Sequence, residues 1–376
     1  MKTILLLYEP ISQKHLVDSI IRHTLDDAYE ITGFNVTDWK FNNGSVEIPL
    51  LFKYLKLLKK IPYFGSRISN YLLTFLLIQL SRRFDYIDVS FFTPLYYRFL
   101  TYLIKIEKPY KITIWGSDFY RSREIDLKKK RYYLNKAKII QVGTYLIKQD
   151  VLKVYPEIEK KIAVCNYGID LFDKIDANRN NKILVPKAKG KIVTTCGYNA
   201  SKGQQHYVII SALQKLPKTT KDKIFVFFPM TYGSPDNNYI NDIEKLLRKT
   251  EIPFYIFRET LSDDNLSKLR LQTDIVLNIQ VTDALSASIT EHLYAGNILI
   301  AGEWLPYSIF SDYGIKYITT SIDNIVANLN TAINTLENLQ VFAEQNIIGT
   351  KNLASWDTRS STLKNIFLYL SNNVTN

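Results

Sequence analysis

The stretch from Asp274 to Ala301 constrains the fold most, because it reads as a strand, a loop, a helix and a second strand in succession. Asp274–Ile279 and Asn297–Ala301 are short apolar runs, typical of buried parallel strands. Ser286 or Ser288 can cap the helix between them, and Gly296 suits the left-handed position at its end. This unit predicts an open α/β sheet, whose ligands bind at the carboxyl ends of the strands.

Two acids frame the turn inside this stretch. Asp283 lies in the loop and Glu291 lies in the helix, with seven residues between them. A helix N-terminus at this place attracts phosphate, and a carboxylate beside it is a strong acceptor for the hydroxyl groups of a sugar or ribose. The alternative interpretation is a helix with a partly buried Glu and a solvated Asp.

The run Asp283-Ala-Leu-Ser-Ala-Ser-Ile-Thr-Glu291-His-Leu-Tyr-Ala-Gly296 resembles the signature of GT-B glycosyltransferases of the group 1 type. The resemblance implies that Asp283 orients the donor sugar as a catalytic residue and that Glu291 binds the ribose. It also implies that backbone amides near Ser286 and Ser288 hold the donor diphosphate. The first acid of the family signature is usually Glu, and this chain has Asp283 there.

The length of 376 residues predicts two domains, each with its own core. Cys165 and Cys196 lie in apparent strands, and buried thiols of this kind indicate a reducing compartment. Met1-Lys2-Thr3 runs directly into an apolar strand, so we expect no signal peptide. The apolar stretch Tyr71–Leu80 is about half the length of a membrane-spanning helix. These features predict a cytoplasmic protein.

The formal net charge of +12 suits phosphorylated substrates, an anionic membrane or nucleic acid. Basic residues alternate with bulky apolar ones over two predicted helices, Ile48–Lys60 and Ser66–Leu80, and this pattern suits the inner face of the cell membrane. Ordinary solvated helix faces explain the same pattern. No nucleic-acid partner is expected, because only the charge favours one. The basic residues concerned are Lys53, Lys56, Lys59, Lys60, Arg67, Arg82 and Arg83.

The alternation of strands and helices predicts two Rossmann-like parallel-sheet domains that face a cleft. We expect an acceptor-side domain over residues 1–172, a polar linker over 173–190 and a nucleotide-sugar-binding domain over 191–354. A helix over 355–376 is expected to pack back on the first domain.

In the first domain, the predicted strand Lys111–Trp115 ends in Gly116-Ser117-Asp118. This resembles the Gly-small-Asp element of several GT-B enzymes, among them bacterial transferases of fucosamine-type sugars that act on lipid-linked oligosaccharides. The resemblance places Trp115 and Gly116 on the acceptor side, with Asp118 as a second catalytic candidate; a helix cap is the alternative for Asp118. Glu9, in the loop after the first strand, is a further acceptor-side candidate.

In the second domain, the strand Lys191–Cys196 ends in a turn that resembles the family's Gly-Arg … Lys-Gly element. Gly197 and Lys202 are therefore expected to bind the donor diphosphate, and Tyr198 replaces the usual arginine. After the next strand, Tyr232 is expected to contact the donor base or ribose.

No zinc-ligand spacing, HExxH or phosphate-binding glycine loop is present, and no Asp-x-Asp follows an obvious strand. We therefore predict a metal-independent, cofactor-free glycosyltransferase that moves a sugar from a nucleotide-sugar to a glycan or lipid-linked acceptor in bacterial surface polysaccharide synthesis. A nucleotide-sugar epimerase and a non-catalytic basic protein that binds membrane or nucleic acid are the alternatives. The sequence leaves open the donor base, the sugar, the acceptor, the stereochemistry and the oligomeric state.

Overall fold

The structure, a computed structural model, describes residues 1–9, 14–42, 65–233, 237–283 and 285–372. It divides the chain into two compact units. The first unit contains Met1–Gly168 together with Trp356–Asn376, and the second contains Ile169–Ser355.

A sheet of mostly parallel strands organises the first unit. Its described strands are β1 (Lys2–Tyr8), β2 (Tyr29–Asn35), β3 (Lys40–Phe41), β4 (Tyr86–Ser90), β5 (Tyr110–Ile114), β6 (Ile139–Val142) and β7 (Ile162–Val164). They lie in the order β3-β2-β1-β4-β5-β6-β7, and only the β2–β3 pair among them is antiparallel. The described helices before residue 169 are α1 (Lys14–His23), α2 (Gly65–Ser81), α3 (Tyr97–Lys105), α4 (Ser117–Tyr120), α5 (Glu124–Lys136) and α6 (Tyr145–Val154).

The second unit has a parallel sheet with helices between its strands. Its described strands are β8 (Ile192–Cys196), β9 (Ile224–Pro229), β10 (Phe254–Phe257), β11 (Ile275–Asn278), β12 (Ile298–Gly302) and β13 (Ile318–Thr320). They lie in the order β10-β9-β8-β11-β12-β13, and each neighbouring pair of these described strands is parallel. Its described helices are α7 (Leu171–Asn178), α8 (His206–Gln214), α9 (Lys218–Lys221), α10 (Asn237–Arg248), α11 (Asp263–Gln272), α12 (Ala287–Ala295), α13 (Ile309–Asp312), α14 (Ile325–Asn334), α15 (Leu336–Leu339) and α16 (Val341–Ala354).

The last helix, α17 (Trp356–Asn372), covers one face of the first sheet. Successive residues of a strand point to opposite faces, so Ile4 and Leu6 of β1 meet the α17 side while Leu5 and Leu7 enter the core on the other side. Both faces are buried, which explains why β1 is apolar throughout.

The segment predicted as a linker, 173–190, begins inside α7 rather than as free chain. Phe172 stacks on Tyr294 with 3.8 Å between the ring centroids, and Ile175 is fully buried. Phe172 and Ile175 are spaced by about one helical turn, but the surrounding Lys, Asn and Asp residues made this segment resemble a polar linker in the sequence. Helix α7 therefore packs against α12 as part of the second unit.

The predicted basic helix pair is described only in its second half, as α2. Residues 48–64, which include the first helix of the pair and the connecting loop, lie outside the described residues. Among the helices that are described, none is both long enough and apolar enough to span a bilayer.

Candidate functional site

The strand order of the second sheet reverses between β8 and β11. The chain adds β9 and β10 on one side of β8 and then continues with β11 on the other side. In open α/β sheets, ligands bind at the carboxyl ends of the strands at such a switch point. The loop after β8 contains Gly197 and Lys202, and the loop after β11 contains Asp283 and leads into α12. The predicted donor-binding residues thus follow adjacent strand ends.

Helix α12 begins and ends as the sequence predicts. Ser286 is its N-cap residue, although its hydroxyl makes no capping bond, and Gly296 ends it with φ = 94°. The Ser286 N–H donates instead to Asp283 Oδ2 over 3.3 Å. The first N–H groups of a helix lack partners within the helix, and the helix dipole adds positive potential there. The N-terminus of α12 is therefore suited to hold phosphate.

Glu291 of α12 is buried against an arginine that the sequence analysis did not single out. Arg270 of α11 donates to Glu291 Oε2 from Nε over 3.1 Å and from Nη2 over 2.9 Å. The same Nη2 donates to Ser288 Oγ over 2.7 Å. Glu291 is 8% exposed and Arg270 is 4% exposed. The guanidinium therefore compensates the buried carboxylate and fixes its orientation.

His292 completes this network and is held as the neutral imidazole. Arg270 Nη1 donates to His292 Nε2 over 2.9 Å, so the ring proton resides on Nδ1, which donates to Asn297 Oδ1 over 2.6 Å. Burial, reinforced by the charge of Arg270, holds the pKa of His292 well below its ordinary value. The predicted Glu291 and Ser288 are thus parts of one cluster, formed by Arg270, Ser288, Glu291, His292 and Asn297, which we call the Arg270 cluster.

Asp283, in the loop before α12, contacts a tyrosine. The Tyr307 hydroxyl donates to Asp283 Oδ2 and accepts a hydrogen bond of 2.7 Å from Asn278 Nδ2. Burial and the neighbouring Asp283 carboxylate raise the pKa of Tyr307 well above its ordinary value. Tyr307 therefore stays protonated and holds Asp283 in place.

Three predicted positions lie in the loops after the neighbouring strands β8 and β9. Gly197 has φ = 67°, and a Cβ there would lie 2.8 Å from Gln204 Oε1. Lys202 is exposed, with its Nζ 5.8 Å from the centroid of the Tyr239 ring. Tyr232, 58% exposed, follows β9, and the charges of Arg270, Glu291 and Asp283 act on its hydroxyl. Ser234, at the end of the predicted Tyr232 turn, lies outside the described residues.

In the first unit, Asp118 is a buried carboxylate that accepts three backbone hydrogen bonds. Its Oδ2 accepts from Phe92 N over 2.8 Å, and its Oδ1 accepts from Trp115 N over 2.9 Å and from Gly116 N over 3.0 Å. Burial raises the pKa of Asp118, and these backbone bonds oppose the rise. Asp118 thus ties the loops after β4 and β5 together. The helix-cap interpretation was wrong, because the N-cap of α4 is Gly116 and no side chain caps it.

The other acceptor-side candidates lie close to the two loops that Asp118 joins. Trp115 stacks on Tyr167 at 5.0 Å between ring centroids, and Gly116 has φ = 107°. Glu9 accepts a hydrogen bond of 2.7 Å from Thr93 Oγ1, and burial raises its pKa. The residues that follow Glu9, 10–13, lie outside the described residues. A cavity of about 360 Å³ opens beside Asp118, lined among others by Phe92, Arg121 and Lys130.

No three His, Cys, Asp or Glu side chains within the described parts of the chain are grouped so that they could hold a metal ion. Metal-independent chemistry stays a prediction from the sequence. A cavity of about 750 Å³ lies at the edge strand β10, beside Tyr255 and Arg248, and none of the predicted site residues lines it.

Comparison with solved structures finds similar folds over nearly the whole chain. HepE from Anabaena, solved in complex with UDP, has a TM-score of 0.70 and 13% identity, with 98% of this chain and 100% of that chain covered. A glycosyltransferase from Rickettsia africae has a TM-score of 0.70 and 15% identity, with 99% of each chain covered. Sucrose-phosphate synthase from Thermosynechococcus elongatus has a TM-score of 0.72 and 11% identity, covering 98% of this chain and 99% of that one.

These similarities define the fold class: an α/β chain with two sheets of parallel strands, as in GT-B glycosyltransferases. No protein-family model matches the chain. No curated protein matches it in sequence. At such low identities the likeness extends to the fold, and the activity has to be argued from the residues.

Proposed function

We propose that this chain is a glycosyltransferase of the hexosyltransferase type, which uses a nucleotide-sugar donor. The observation that carries the proposal is α12, whose N-terminus follows β11 at the switch point and whose Glu291 is buried beside it. The similar structures support the proposal, since HepE was solved with UDP-glucose and another neighbour is sucrose-phosphate synthase.

The donor is proposed to bind the second unit. Glu291 would accept hydrogen bonds from the ribose, and Asp283 would orient the sugar. The N-terminal amides of α12 near Ser286 and Ser288 would hold the diphosphate together with Gly197 and Lys202. Tyr232 would contact the base or the ribose.

The reaction would break the bond between the anomeric carbon and the diphosphate oxygen. The acceptor hydroxyl oxygen would form the new bond to that carbon, its proton would pass to the leaving diphosphate or to water, and the nucleoside diphosphate would leave. Negative charge grows on the leaving diphosphate during this step, and preorganised helix amides with one lysine would stabilise it without a metal.

The first unit is proposed to present the acceptor, a glycan or a lipid-linked saccharide for bacterial surface polysaccharide synthesis. Trp115 and Gly116 lie in the loop after β5, and Glu9 contacts Thr93 in the loop after β4. Asp118 would act by holding these two loops together rather than by touching substrate. The resemblance to fucosamine-type transferases stays a prediction.

Contact with the inner face of the cell membrane is also part of the proposal. Ile68, Tyr71 and Phe75 of α2 are 39%, 58% and 52% exposed, and their spacing places them on one face of the helix. Exposed apolar residues on a basic protein suit an anionic bilayer surface.

The test is thermal stabilisation of the native chain by UDP, GDP, TDP, CMP and their sugars. A ligand at a hundredfold excess over its Kd adds about 2.7 kcal/mol to the free energy of unfolding. We expect one base to raise the Tm, with a smaller rise for Glu291→Gln and an unchanged rise for the control Glu244→Gln, whose arginine partners lie on α10 and after β10. Equal stabilisation of Glu291→Gln would remove Glu291 from the site. No rise with any nucleotide would favour the basic binding protein.

A further inference from the structure

Gln280, just beyond β11, is a buried residue that the sequence analysis did not single out. It is 5% exposed. Its Oε1 accepts two hydrogen bonds, from Tyr198 Oη over 3.0 Å and from Gln204 Nε2 over 2.8 Å. Its Nε2 is buried and has no hydrogen-bond partner among the described residues. Buried amide groups rarely lack a hydrogen-bond partner. The unpartnered N–H groups of Gln280 therefore suggest that a ligand accepts a hydrogen bond from them.

The orientation of the Gln280 amide follows from a chain of hydrogen bonds. The backbone N–H of Tyr198 donates over 3.2 Å to Gln204, so the accepting atom of Gln204 is its oxygen. The other end of Gln204 is then its NH₂ group, which can only donate, and the atom that it meets on Gln280 must be Oε1. The remaining Gln280 atom is therefore an NH₂ group, a donor without an acceptor.

The same tyrosine connects Gln280 to the N-terminus of α12. The Tyr198 hydroxyl also lies beside the Ser286 side chain, within the field of Asp283. Ser286 Oγ is buried, and the Tyr198 hydroxyl is its hydrogen-bonding neighbour. The unpartnered Gln280 amide nitrogen thus belongs to the same group of contacts as Ser286, the N-cap residue of α12. Burial raises the pKa of Tyr198 to about 12. The Tyr198 hydroxyl therefore keeps its proton at neutral pH.

We propose that Gln280 is a donor-binding residue whose Nε2 donates a hydrogen bond to a phosphate oxygen of the leaving diphosphate, and that Tyr198 positions its amide. The inference rests on the proposed function. Tyr198 occupies the position where group 1 glycosyltransferases have an arginine that binds the donor diphosphate. In this chain the neutral pair Tyr198–Gln280 replaces part of the contact between that arginine and the diphosphate.

The experiment measures binding of inorganic pyrophosphate, UDP and uridine by calorimetry to the full chain. Gln280→Met keeps the length of the side chain and removes the amide. We expect it to weaken pyrophosphate and UDP about tenfold, because it loses a hydrogen bond to a charged group, and to leave uridine unchanged. Tyr198→Phe, which removes only a hydroxyl, should weaken the same two probes by a smaller factor. The ratio of the UDP affinity to the uridine affinity reports on the phosphate contact. A loss of folding stability alone would not change this ratio.

The matched control is Gln272→Met. Gln272 is also a glutamine of the second unit, and both its amide oxygen and its amide nitrogen have partners, the backbone of Leu184 and Val185. We expect Gln272→Met to lower stability and to keep the UDP-to-uridine ratio. If Gln280→Met does not fold, Tyr198→Phe carries the test alone.

Each outcome supports or overturns the inference. Native affinity of both Gln280→Met and Tyr198→Phe for pyrophosphate and UDP would overturn the inference and leave nucleotide binding intact. Weaker binding of a UDP-sugar with unchanged binding of UDP would overturn it as well, because Gln280 would then contact the sugar. A native chain that binds none of the probes and no nucleotide of the thermal panel would overturn the proposed function and the inference together.

Discussion

Arg270 illustrates how a single residue determines what its neighbours can do. Both of its contacts with Glu291 go to Oε2, so in the proposed complex the ribose would meet the other carboxylate oxygen. The arginine also determines the tautomer of His292 and orients Ser288. A buried charge pair of this kind contributes little net stability, but removal of one partner leaves an uncompensated charge.

We therefore predict that Arg270→Gln lowers the free energy of unfolding by about 3–5 kcal/mol. The double variant Arg270→Gln/Glu291→Gln should recover part of this loss, because the unpaired carboxylate is gone. Urea unfolding of the native chain, both single variants and the double variant gives the coupling energy. Additive losses in the double variant would contradict a direct pairing of the two side chains.

At the scale of an element, the turn after β8 depends on backbone geometry as well as on side chains. Gly197 adopts a left-handed conformation, φ = 67°, directly beside Gln204 and His206. The Gln204 amide in turn holds Gln280. The close approach at Gly197 therefore supports the polar groups at the switch point, and a larger residue would disturb them.

Gly197→Ala is expected to destabilise the chain by more than the cost of the left-handed conformation, which is about 1–2 kcal/mol for a residue with a Cβ. The additional cost arises because the new Cβ would lie 2.8 Å from Gln204 Oε1. Gly190→Ala is the control, since Gly190 has φ = 81° and a Cβ there meets nothing within 4 Å. Thermal unfolding compares the two. Equal losses would show that Gln204 moves aside freely.

Local signals in the sequence were sufficient to predict several helices and strands. The strands β11 and β12, the helix α12 and its end at Gly296 follow from apolar runs and capping residues, and the structure confirms them. Arg270 was missed, because it meets Glu291 only through the packing of α11 on α12. The sequence indicated Tyr198 as a departure from the family pattern, but its contact with Gln280 spans two strand ends and no local pattern encodes it.

For the molecule as a whole, two buried histidines couple stability to pH. Burial lowers the pKa of His206 to about 4 and that of His292 well below 6.5. The unfolded chain binds protons at both sites below pH 6.5, whereas the folded chain does not, so the contribution of these two histidines to stability falls as the pH drops from 6.5 toward the folded pKa. Above pH 6.5 neither site changes the stability.

The last prediction is therefore that acidification from pH 7 to pH 5 lowers the free energy of unfolding by about 2 kcal/mol through His206 alone. His206→Asn keeps a polar partner for the Tyr239 hydroxyl, which lies 2.9 Å from His206 Nδ1, and should flatten the profile by that amount. Tyr239→Phe is the control, because it retains the buried imidazole and with it the slope. Urea unfolding at both pH values measures the effect. An unchanged slope in His206→Asn would mean that the folded chain protonates this ring as readily as the unfolded chain does.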